Sequence, residues 1–343
     1  MANAKAWATN NDWLDLNVEE TLEPDLPICD PHHHLWEFRH ERAAHRYLLD
    51  EIQSDLNSSH NIVSTVFIEC GAMYKTDGPE HLRSVGEVEF VNGVAAMSAS
   101  GLYGKTRVCA GIIGNANLRL GAKTGEVLDA LEAAGGGRFR GIRHQASWDE
   151  HGAASAGRFV TGPHTYLDTD FRSGFAELGK RGLSFEGWCY HPQIHELTDL
   201  ARSFPEVTII LNHFGGPLGR GVYAGKRDEI FPEWQKDIAA LAECENVVAK
   251  LGGIYMELNG FDWHERERPA GSAEMLAATR RYYEHTLDCF GVERCLFESN
   301  FPVDRVSCSY NTCWNIFKRL AADYSADEKA ALFHDNATRV YRL

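Results

Sequence analysis

Short apolar runs rich in β-formers recur eight times along this chain of 343 residues, and turn signals or charged residues bound each run. They cover residues 26–29, 62–68, 107–113, 139–142, 183–188, 207–211, 247–251 and 294–297. The stretches between them show helical spacing of apolar residues, most clearly at 127–134, 171–181, 194–204, 234–244 and 275–290. Eight strands that alternate with helices predict an α/β protein whose parallel sheet closes into a single (β/α)8 TIM barrel. An open doubly wound sheet is the alternative, but no GxGxxG follows the first run.

The chain shows no low-complexity linker, which favours one barrel domain over 26–343 behind an N-terminal extension at 1–25. Residues 326–339 predict a closing helix. The connections after the sixth and seventh strands, 215–232 and 252–272, are long for a barrel and predict a distorted one. At the C-terminal face of a barrel such loops shape the substrate site; decoration of the surface is the other interpretation.

Charge and composition exclude several classes of partner. The net charge of −15 argues against nucleic acid and anionic membranes, whereas a few local cations suffice to hold a small anionic substrate. No apolar run reaches the roughly 18 residues of a membrane span, and no signal peptide precedes the first strand. Nine scattered cysteines without paired spacing indicate reduced core residues of a cytoplasmic protein. A homo-oligomer stays open.

Histidines at the ends of predicted strands are the main functional signal. His32 and His34 follow the first run within DPHHHLW, and residues two apart on a strand point to the same side. Both rings are therefore predicted to face the barrel mouth, with His33 facing away. Such a pair is half of a site for a divalent metal.

The sixth and fifth runs end in further histidines. His213 lies within NHFGGP, and by strand parity it shares a face with Leu211 and Ile209. His191 ends the fifth run, directly before Pro192. Each is a candidate site residue, and a hydrogen-bonded structural histidine is the alternative at either position.

Polar residues at other strand ends are candidates for holding the substrate. Arg143 and His144 end the fourth run with opposite parity, so that one of them is expected to point inward and bind a carboxylate or carbonyl. Glu69 ends the second run. Trp263 and His264, on the long seventh loop, complete the set. The aromatic residues of that loop, Tyr255, Phe261 and Trp263, suggest a ring-bearing or partly apolar substrate, with packing between loop and barrel as the alternative.

With these residues, the chain resembles the amidohydrolase superfamily, and more narrowly the amidohydrolase-related TIM-barrel group of sugar-acid lactonases, 2-pyrone-4,6-dicarboxylate hydrolase and related decarboxylases. The resemblance covers about residue 30 to the end, through DPHHHLW, NHFGGP, FESNFPVD and NATRVYRL. It implies that His32, His34 and His213 are metal ligands and that His191 occupies the fifth-strand histidine position.

One family position departs from the pattern. Where relatives read GSDWP, this chain reads ESNFP, so that Asn300 replaces the strand-eight Asp that the resemblance implies as general base. An amide does not accept the proton usefully, although Asn300 can orient a water or substrate. The base is then Asp304, four residues further on, with Glu298 and His191 as alternatives. The lost carboxylate leaves two versions of the site, one with a single divalent metal such as Zn or Mn and one without metal.

Three functions are compatible with these residues. The leading one is hydrolysis of a carbonyl compound, in particular a lactone or cyclic ester of a small organic acid, by attack of water on a polarised carbonyl. The second is decarboxylation of an aromatic or unsaturated acid, since the group contains both chemistries. The third is a barrel without catalysis that binds a small molecule.

Overall fold

Eight parallel strands form the centre of the molecule, as the sequence predicts. The computed structural model describes residues 10–37, 45–152 and 162–343, and its sheet has the order β1 to β8 without a crossover. The strands are β1 Pro27–His33, β2 Asn61–Ile68, β3 Arg107–Gly114, β4 Phe139–Arg143, β5 Ser184–Gly187, β6 Ile209–Leu211, β7 Val247–Leu251 and β8 Cys295–Phe297. Each of the eight lies on one of the predicted runs.

Backbone hydrogen bonds beyond the end of β8 bring it against β1. The N–H of His34 donates to the carbonyl of Phe301 at 2.8 Å, and the N–H of Asn300 donates to the carbonyl of His32 at 3.0 Å. A parallel bridge pairs His33 with Phe301. The sheet therefore closes into a (β/α)8 barrel, and the closing seam passes through the histidine segment.

Helices pack around the sheet and confirm the predicted periodicity. Within the described residues they are α1 Asn11–Leu14, α2 Leu49–Leu56, α3 Val85–Ala99, α4 Thr124–Ala134, α5 Thr169–Arg181, α6 Ile194–Ser203, α7 Arg227–Ala242, α8 Ser272–Phe290, α9 Tyr310–Leu320, α10 Ala326–Ala330 and α11 Asn336–Tyr341. The predicted closing helix is divided by a π-helical turn at Ala331–Asp335. Helix α7 begins before the predicted end of the sixth loop, and Pro232 lies inside it, in the second turn, where the proline removes one backbone hydrogen bond.

Alternate strand residues point into the barrel and form a compact inner cluster. Its members are Cys29, Val66, Ile68, Ile113, Ile210, Val248, Leu296, Ala337 and Tyr341. The last two belong to α11, so that the C-terminal helix closes the bottom of the barrel. This parity matters for the site, because Lys250 and Glu298 lie two residues after inward-facing Val248 and Leu296.

The loops after β6 and β7 contact one another. The side-chain amide of Asn259 donates to the carbonyl of Pro217 at 2.8 Å, and the N–H of Gly219 donates to the carbonyl of Leu258 at 2.9 Å. The two long connections therefore form one continuous wall on the C-terminal face.

The described part of the N-terminal segment packs on the outer helices. Trp13 and Leu14 are buried, the N–H of Leu22 donates to Asn315 at 3.0 Å, and Lys318 donates to the carbonyl of Glu23 at 2.7 Å. The division at residue 25 stays a prediction, and residues 1–9 of it lie outside the described ranges. Eight of the nine cysteines are buried, and no helix of the described residues is long and apolar enough to cross a membrane.

A buried carboxylate ties β1 to the segment after β8. One oxygen of Asp30 accepts from the N–H of Ser299 at 3.0 Å and from the N–H of His32 at 3.3 Å. The other accepts from the hydroxyls of Ser299 at 2.6 Å and Tyr310 at 2.8 Å. Burial raises the pKa of Asp30 to about 6, while the hydrogen bonds from Ser299 oppose that rise. At pH 8 the group is an acceptor-only carboxylate that faces four donors.

We expect Asp30→Asn to lower the free energy of unfolding by about 3 kcal/mol at pH 8, because the amide turns an N–H₂ group towards those donors and leaves buried groups unpaired. The matched control is Asp50→Asn on α2, whose ion pair with Arg46 is exposed and contributes at most about 0.5 kcal/mol. Urea denaturation of both variants measures the difference. Equal stability of the two variants would contradict the role given to Asp30.

Candidate active site

Three histidines and one glutamate meet inside the C-terminal end of the barrel. His32 and His34 come from β1 and the residues after it, His213 follows β6, and Glu298 follows β8. All four side chains are buried, with at most 3% of the residue surface exposed. The structure thus brings together the three histidines that the sequence singles out as metal ligands.

The rings of His32 and His34 point to the same side of the chain, as their spacing predicts. Their Nε2 atoms are 3.2 Å apart and the rings meet edge to face. The Nδ1 of His34 is 2.8 Å from the carbonyl of Ile68, so this nitrogen carries the proton and Nε2 of His34 is an acceptor. His33 points elsewhere, with its Nε2 2.8 Å from the hydroxyl of Thr65.

His213 reaches the cluster by a different route from the predicted one. Leu211 and Ile209, with which it shares strand parity, belong to the outer core between sheet and helices. Strand β6 ends at Leu211, and His213 has a left-handed φ of 51°. This turn sends the ring back towards the barrel axis, 4.5 Å from the ring of His32.

Gly253, after β7, makes room for the His213 ring. A Cβ at this position would lie 2.0 Å from Nδ1 of His213, and the glycine itself has φ of +70°. Only glycine therefore fits here without moving the histidine.

Glu298 supplies the carboxylate of the cluster. One of its oxygens is 2.6 Å from Nδ1 of His32 and the other is 2.6 Å from Nδ1 of His213. Neither carboxylate oxygen has a partner in hydrogen-bond geometry, and neither does Nδ1 of His213. Nitrogen and oxygen atoms that converge this closely without hydrogen bonds are arranged like ligands around a cation.

The protonation state of His32 bears on the same contacts with Glu298 and His34. If Nδ1 carries its proton, the lone pair on Nε2 faces the acceptor Nε2 of His34; if Nε2 carries it, the lone pair on Nδ1 faces a carboxylate oxygen of Glu298. In the second case the ammonium of Lys250, 3.4 Å from Nδ1, can donate to that lone pair; in the first case a second proton or a bound cation relieves the contact. Burial, followed by the charge of Lys250, lowers the pKa of His32 well below its usual range, which disfavours the second proton.

Lys250 and Glu186 lie directly against this cluster, and the sequence reasoning did not identify them. Their side chains form a fully buried ion pair at 2.9 Å, and Lys250 Nζ is also 3.4 Å from Nδ1 of His32 and 3.8 Å from Glu298. Glu186 further accepts from Asn212 and from the hydroxyl of Tyr341. A lysine inside the apolar run VVAKL was the available signal, since lysine is almost never fully buried unless it is paired.

Asp304 and Asn300 are bound to each other. The amide of Asn300 donates to one oxygen of Asp304 at 2.9 Å, and the N–H of Tyr255 donates to the other at 3.3 Å. Burial raises the pKa of Asp304 well above its usual range. Both oxygens of the predicted base therefore take part in structural hydrogen bonds.

His191 and His144 are both neutral donors rather than bases. The Nδ1 of His191 accepts from the N–H of Leu218 at 3.2 Å, and the Nδ1 of His144 accepts from the N–H of Leu118 at 3.1 Å. Burial lowers both pKa values to about 4. The remaining proton in each ring is on Nε2, so that each histidine offers one N–H donor.

Arg143 points inward, but its guanidinium is engaged. Nε donates to a carboxylate oxygen of Glu69 at 2.7 Å, and a second nitrogen donates to the carbonyl of Glu69. The pair is buried. Glu69 directly follows Ile68, whose carbonyl accepts a hydrogen bond from His34. Two predicted substrate-binding residues thus bind each other beside the cluster.

The aromatic residues of the seventh loop serve packing. Trp263 is buried and stacks on Phe261, and Arg266 lies 4.5 Å above its ring. His264 neighbours Glu265 at 3.9 Å. Instead, Trp188 after β5 places a half-buried ring edge-on against His213, at 4.9 Å between centroids. The sequence reasoning did not identify this contact, nor that of Trp36, whose ring centroid is 6.1 Å from that of His34.

Comparisons with known proteins agree with this architecture. The family model described as amidohydrolase matches residues 29–343. The chain is 32% identical to the uncharacterized protein y4mH of Sinorhizobium fredii, over 93% of this chain and 99% of that protein. It is 28% identical to an L-fucono-1,5-lactonase of Burkholderia multivorans, over 61% of this chain and 64% of the lactonase. An amidohydrolase of Burkholderia multivorans with bound zinc has the same fold, with a TM-score of 0.70 at 23% identity over 92% of this chain and 99% of that one. The chain belongs to the amidohydrolase family of enzymes.

Proposed function

We propose that the protein hydrolyses a lactone or cyclic ester of a small organic acid at the cluster of His32, His34, His213 and Glu298. The observation that carries the proposal is the Glu298 carboxylate, which is fully buried and lies 2.6 Å from a nitrogen of each of two histidines without hydrogen-bond geometry. The lactonase relative supports the choice of substrate class.

The donor set fits one divalent metal. Nitrogens of His32 and His213 and an oxygen of Glu298 lie within 4.8 Å of one another, and two nitrogens with a carboxylate oxygen suit zinc or manganese. When bound, such an ion polarises a carbonyl and lowers the pKa of a bound water. The zinc in the Burkholderia amidohydrolase supports a metal in this family.

Glu298 is the base that this geometry favours. Asp304 is committed to Asn300 and Tyr255, and the free nitrogen lone pair of His191 is used by Leu218. The carboxylate that is missing at position 300 is thus supplied two residues earlier in the same segment. In this proposal Glu298 accepts the proton of the attacking water, and Lys250, 3.8 Å away, stabilises its negative charge.

Trp188 supplies the apolar contact for the substrate. Its ring is perpendicular to that of His213 and is half-buried, so that one surface of the indole borders the cluster. A flat aromatic surface beside a polar centre suits a ring-shaped substrate whose carbonyl must be oriented.

Isotope labelling tests hydrolysis against decarboxylation. With a panel of lactones in water enriched in oxygen-18, we expect one labelled oxygen in the carboxylate of each product. Release of carbon dioxide from an aromatic or unsaturated acid, without label, would establish the lyase instead. Binding of panel compounds without turnover by metal-loaded protein would establish a barrel that only binds.

Glu298→Gln and Asp304→Asn separate the two candidate bases. We expect kcat/KM, measured at saturating zinc, to fall about a thousandfold in Glu298→Gln, because the variant loses the proton acceptor and the carboxylate ligand together. Asp304→Asn should lower the melting temperature while kcat/KM falls less than about tenfold, because its carboxylate is used for structure. Steady-state kinetics and thermal denaturation of both variants decide. A larger kinetic loss in Asp304→Asn would restore Asp304 as the base.

Gly253→Ala tests whether His213 is a metal ligand. The added methyl group displaces the imidazole, so we expect the dissociation constant for zinc, measured by competition with a chelator, to rise at least about tenfold. Gly93→Ala on α3 is the matched control, because a Cβ there meets nothing within 4 Å and helix propensity favours alanine. Unchanged zinc affinity in Gly253→Ala would remove His213 from the ligand set.

A further inference from the structure

A polar cavity lies above the ends of β2, β3 and β4. Its volume is about 970 Å³. Three of its lining residues are the cations Lys75, Arg83 and Arg119. None of them was singled out by the sequence analysis. We call it the β2–β4 cavity.

The charge of this cavity is opposite to that of the chain. Its lining carries three cations and one carboxylate, that of Glu80, whereas the chain as a whole has a net charge of −15. A local cationic cavity on an acidic protein concentrates anions where the rest of the surface repels them.

The three cations keep capacity for a ligand. Lys75 pairs with Glu89 at an exposed site, with 40% of the lysine side chain accessible. Arg119 is 3.8 Å from Asp168, which is too long for a hydrogen bond. Arg83 takes part in no ion pair among the described residues, and its Nε has no hydrogen-bond partner.

A backbone hydrogen bond joins the two segments that carry Lys75 and Arg83. The N–H of Lys75 donates to the carbonyl of Arg83 at 3.0 Å. Gly86 allows this close approach, since a Cβ there would lie 2.5 Å from the carbonyl oxygen of Met73. Lys75 is paired with Glu89, whereas Arg83 forms no ion pair among the described residues and keeps its charge for an anionic ligand.

Hydrogen bonds also hold the other wall of the cavity, which is formed by the segments after β3 and β4. Asn117 accepts from the N–H of Arg119 at 3.1 Å. His144 accepts from the N–H of Leu118, which leaves its Nε2–H as a donor on a residue that lines the cavity. The cavity thus combines cations with a neutral donor, the pattern that binds carboxylates and phosphates.

Gln145 connects the cavity to the cluster. It lines the cavity and donates weakly to Glu69 at 3.5 Å, and Glu69 is adjacent in sequence to Ile68, whose carbonyl is bound by His34. The inward arginine of this region, Arg143, is neutralised by Glu69. Arg143 is therefore not available to an anionic group of the substrate, whereas Arg83 in the β2–β4 cavity forms no ion pair among the described residues.

We propose that Arg83, Arg119 and Lys75 bind an anionic group, a carboxylate or a phosphate, on the substrate part remote from the scissile carbonyl. The inference rests on the proposed function and narrows its substrate class to acidic lactones. Arg83 is the principal contact, because among the described residues it forms no ion pair that an incoming anion would have to break.

Binding of anions that the enzyme does not hydrolyse tests the subsite without reference to turnover. Titration calorimetry with glutarate and with inorganic phosphate is applied to the wild type, Arg83→Gln, Arg119→Gln and Arg280→Gln. We expect Arg83→Gln to weaken binding at least about tenfold, and Arg119→Gln to act in the same direction. Arg280, exposed on α8 and paired with Glu284, is the control for net charge and should leave affinity within about twofold. Tighter binding of phosphate than of glutarate identifies a phosphate ester as the source of the anion; the reverse identifies a carboxylate.

A matched pair of lactones links the subsite to catalysis. We expect Arg83→Gln to raise KM for 5-oxotetrahydrofuran-2-carboxylate at least about tenfold and to leave its carboxamide unaffected. Wild-type affinity for both anions in Arg83→Gln, no binding of either anion by the wild type, or equal effects on the two lactones would overturn the subsite. Anion binding that depends on Arg83, together with absence of any lactone hydrolysis, would overturn the proposed function alone.

Discussion

The burial of one carboxylate among histidines is the constraint on which the rest of the site depends. Glu298 lies inside the barrel with no exposed surface, and a buried charge costs several kcal/mol unless an opposite charge or hydrogen bonds compensate it. Lys250 is the cation closest to it among the described residues, but it forms its shorter contact with Glu186. Two carboxylates and one lysine leave a negative excess, and the convergent nitrogens of His32 and His213 are suited to hold the balancing cation.

The backbone around this cluster adopts conformations that ordinary residues avoid. His213 and Asn300 both have a left-handed φ, of 51° and 55°, and Gly253 must be glycine so that the His213 ring fits. Such conformations persist where surrounding contacts over-determine them. Here those contacts are the closing seam of the barrel, in which Asp30 binds the segment after β8 and His32 accepts from Asn300. The contacts that close the sheet thus also hold residues of the site in place.

The mouth of the barrel combines two kinds of surface. The cluster with Trp188 provides a polar centre beside an aromatic ring. The β2–β4 cavity provides three cations together with a neutral hydrogen-bond donor, His144. Arg143 and Glu69 lie between them as a neutral pair. The two surfaces differ in charge: the cluster holds the carboxylate of Glu298 with Lys250 3.8 Å away, whereas the cations of the β2–β4 cavity stand apart from that carboxylate.

The sequence alone determined the barrel and its histidine pair, because these depend on periodicities of the chain. Eight apolar runs fall on the eight strands, and the spacing of His32 and His34 fixes both rings on one side. What depends on where a strand stops, or on contacts distant in sequence, was decided only by the tertiary structure. Strand β6 ends before His213, so that a turn rather than parity directs its ring. Asp304 is bound by Asn300 and the Tyr255 backbone. Lys250 on β7 meets Glu186 on β5 inside the barrel, with only β6 between the two strands; no local pattern in the sequence records such pairings.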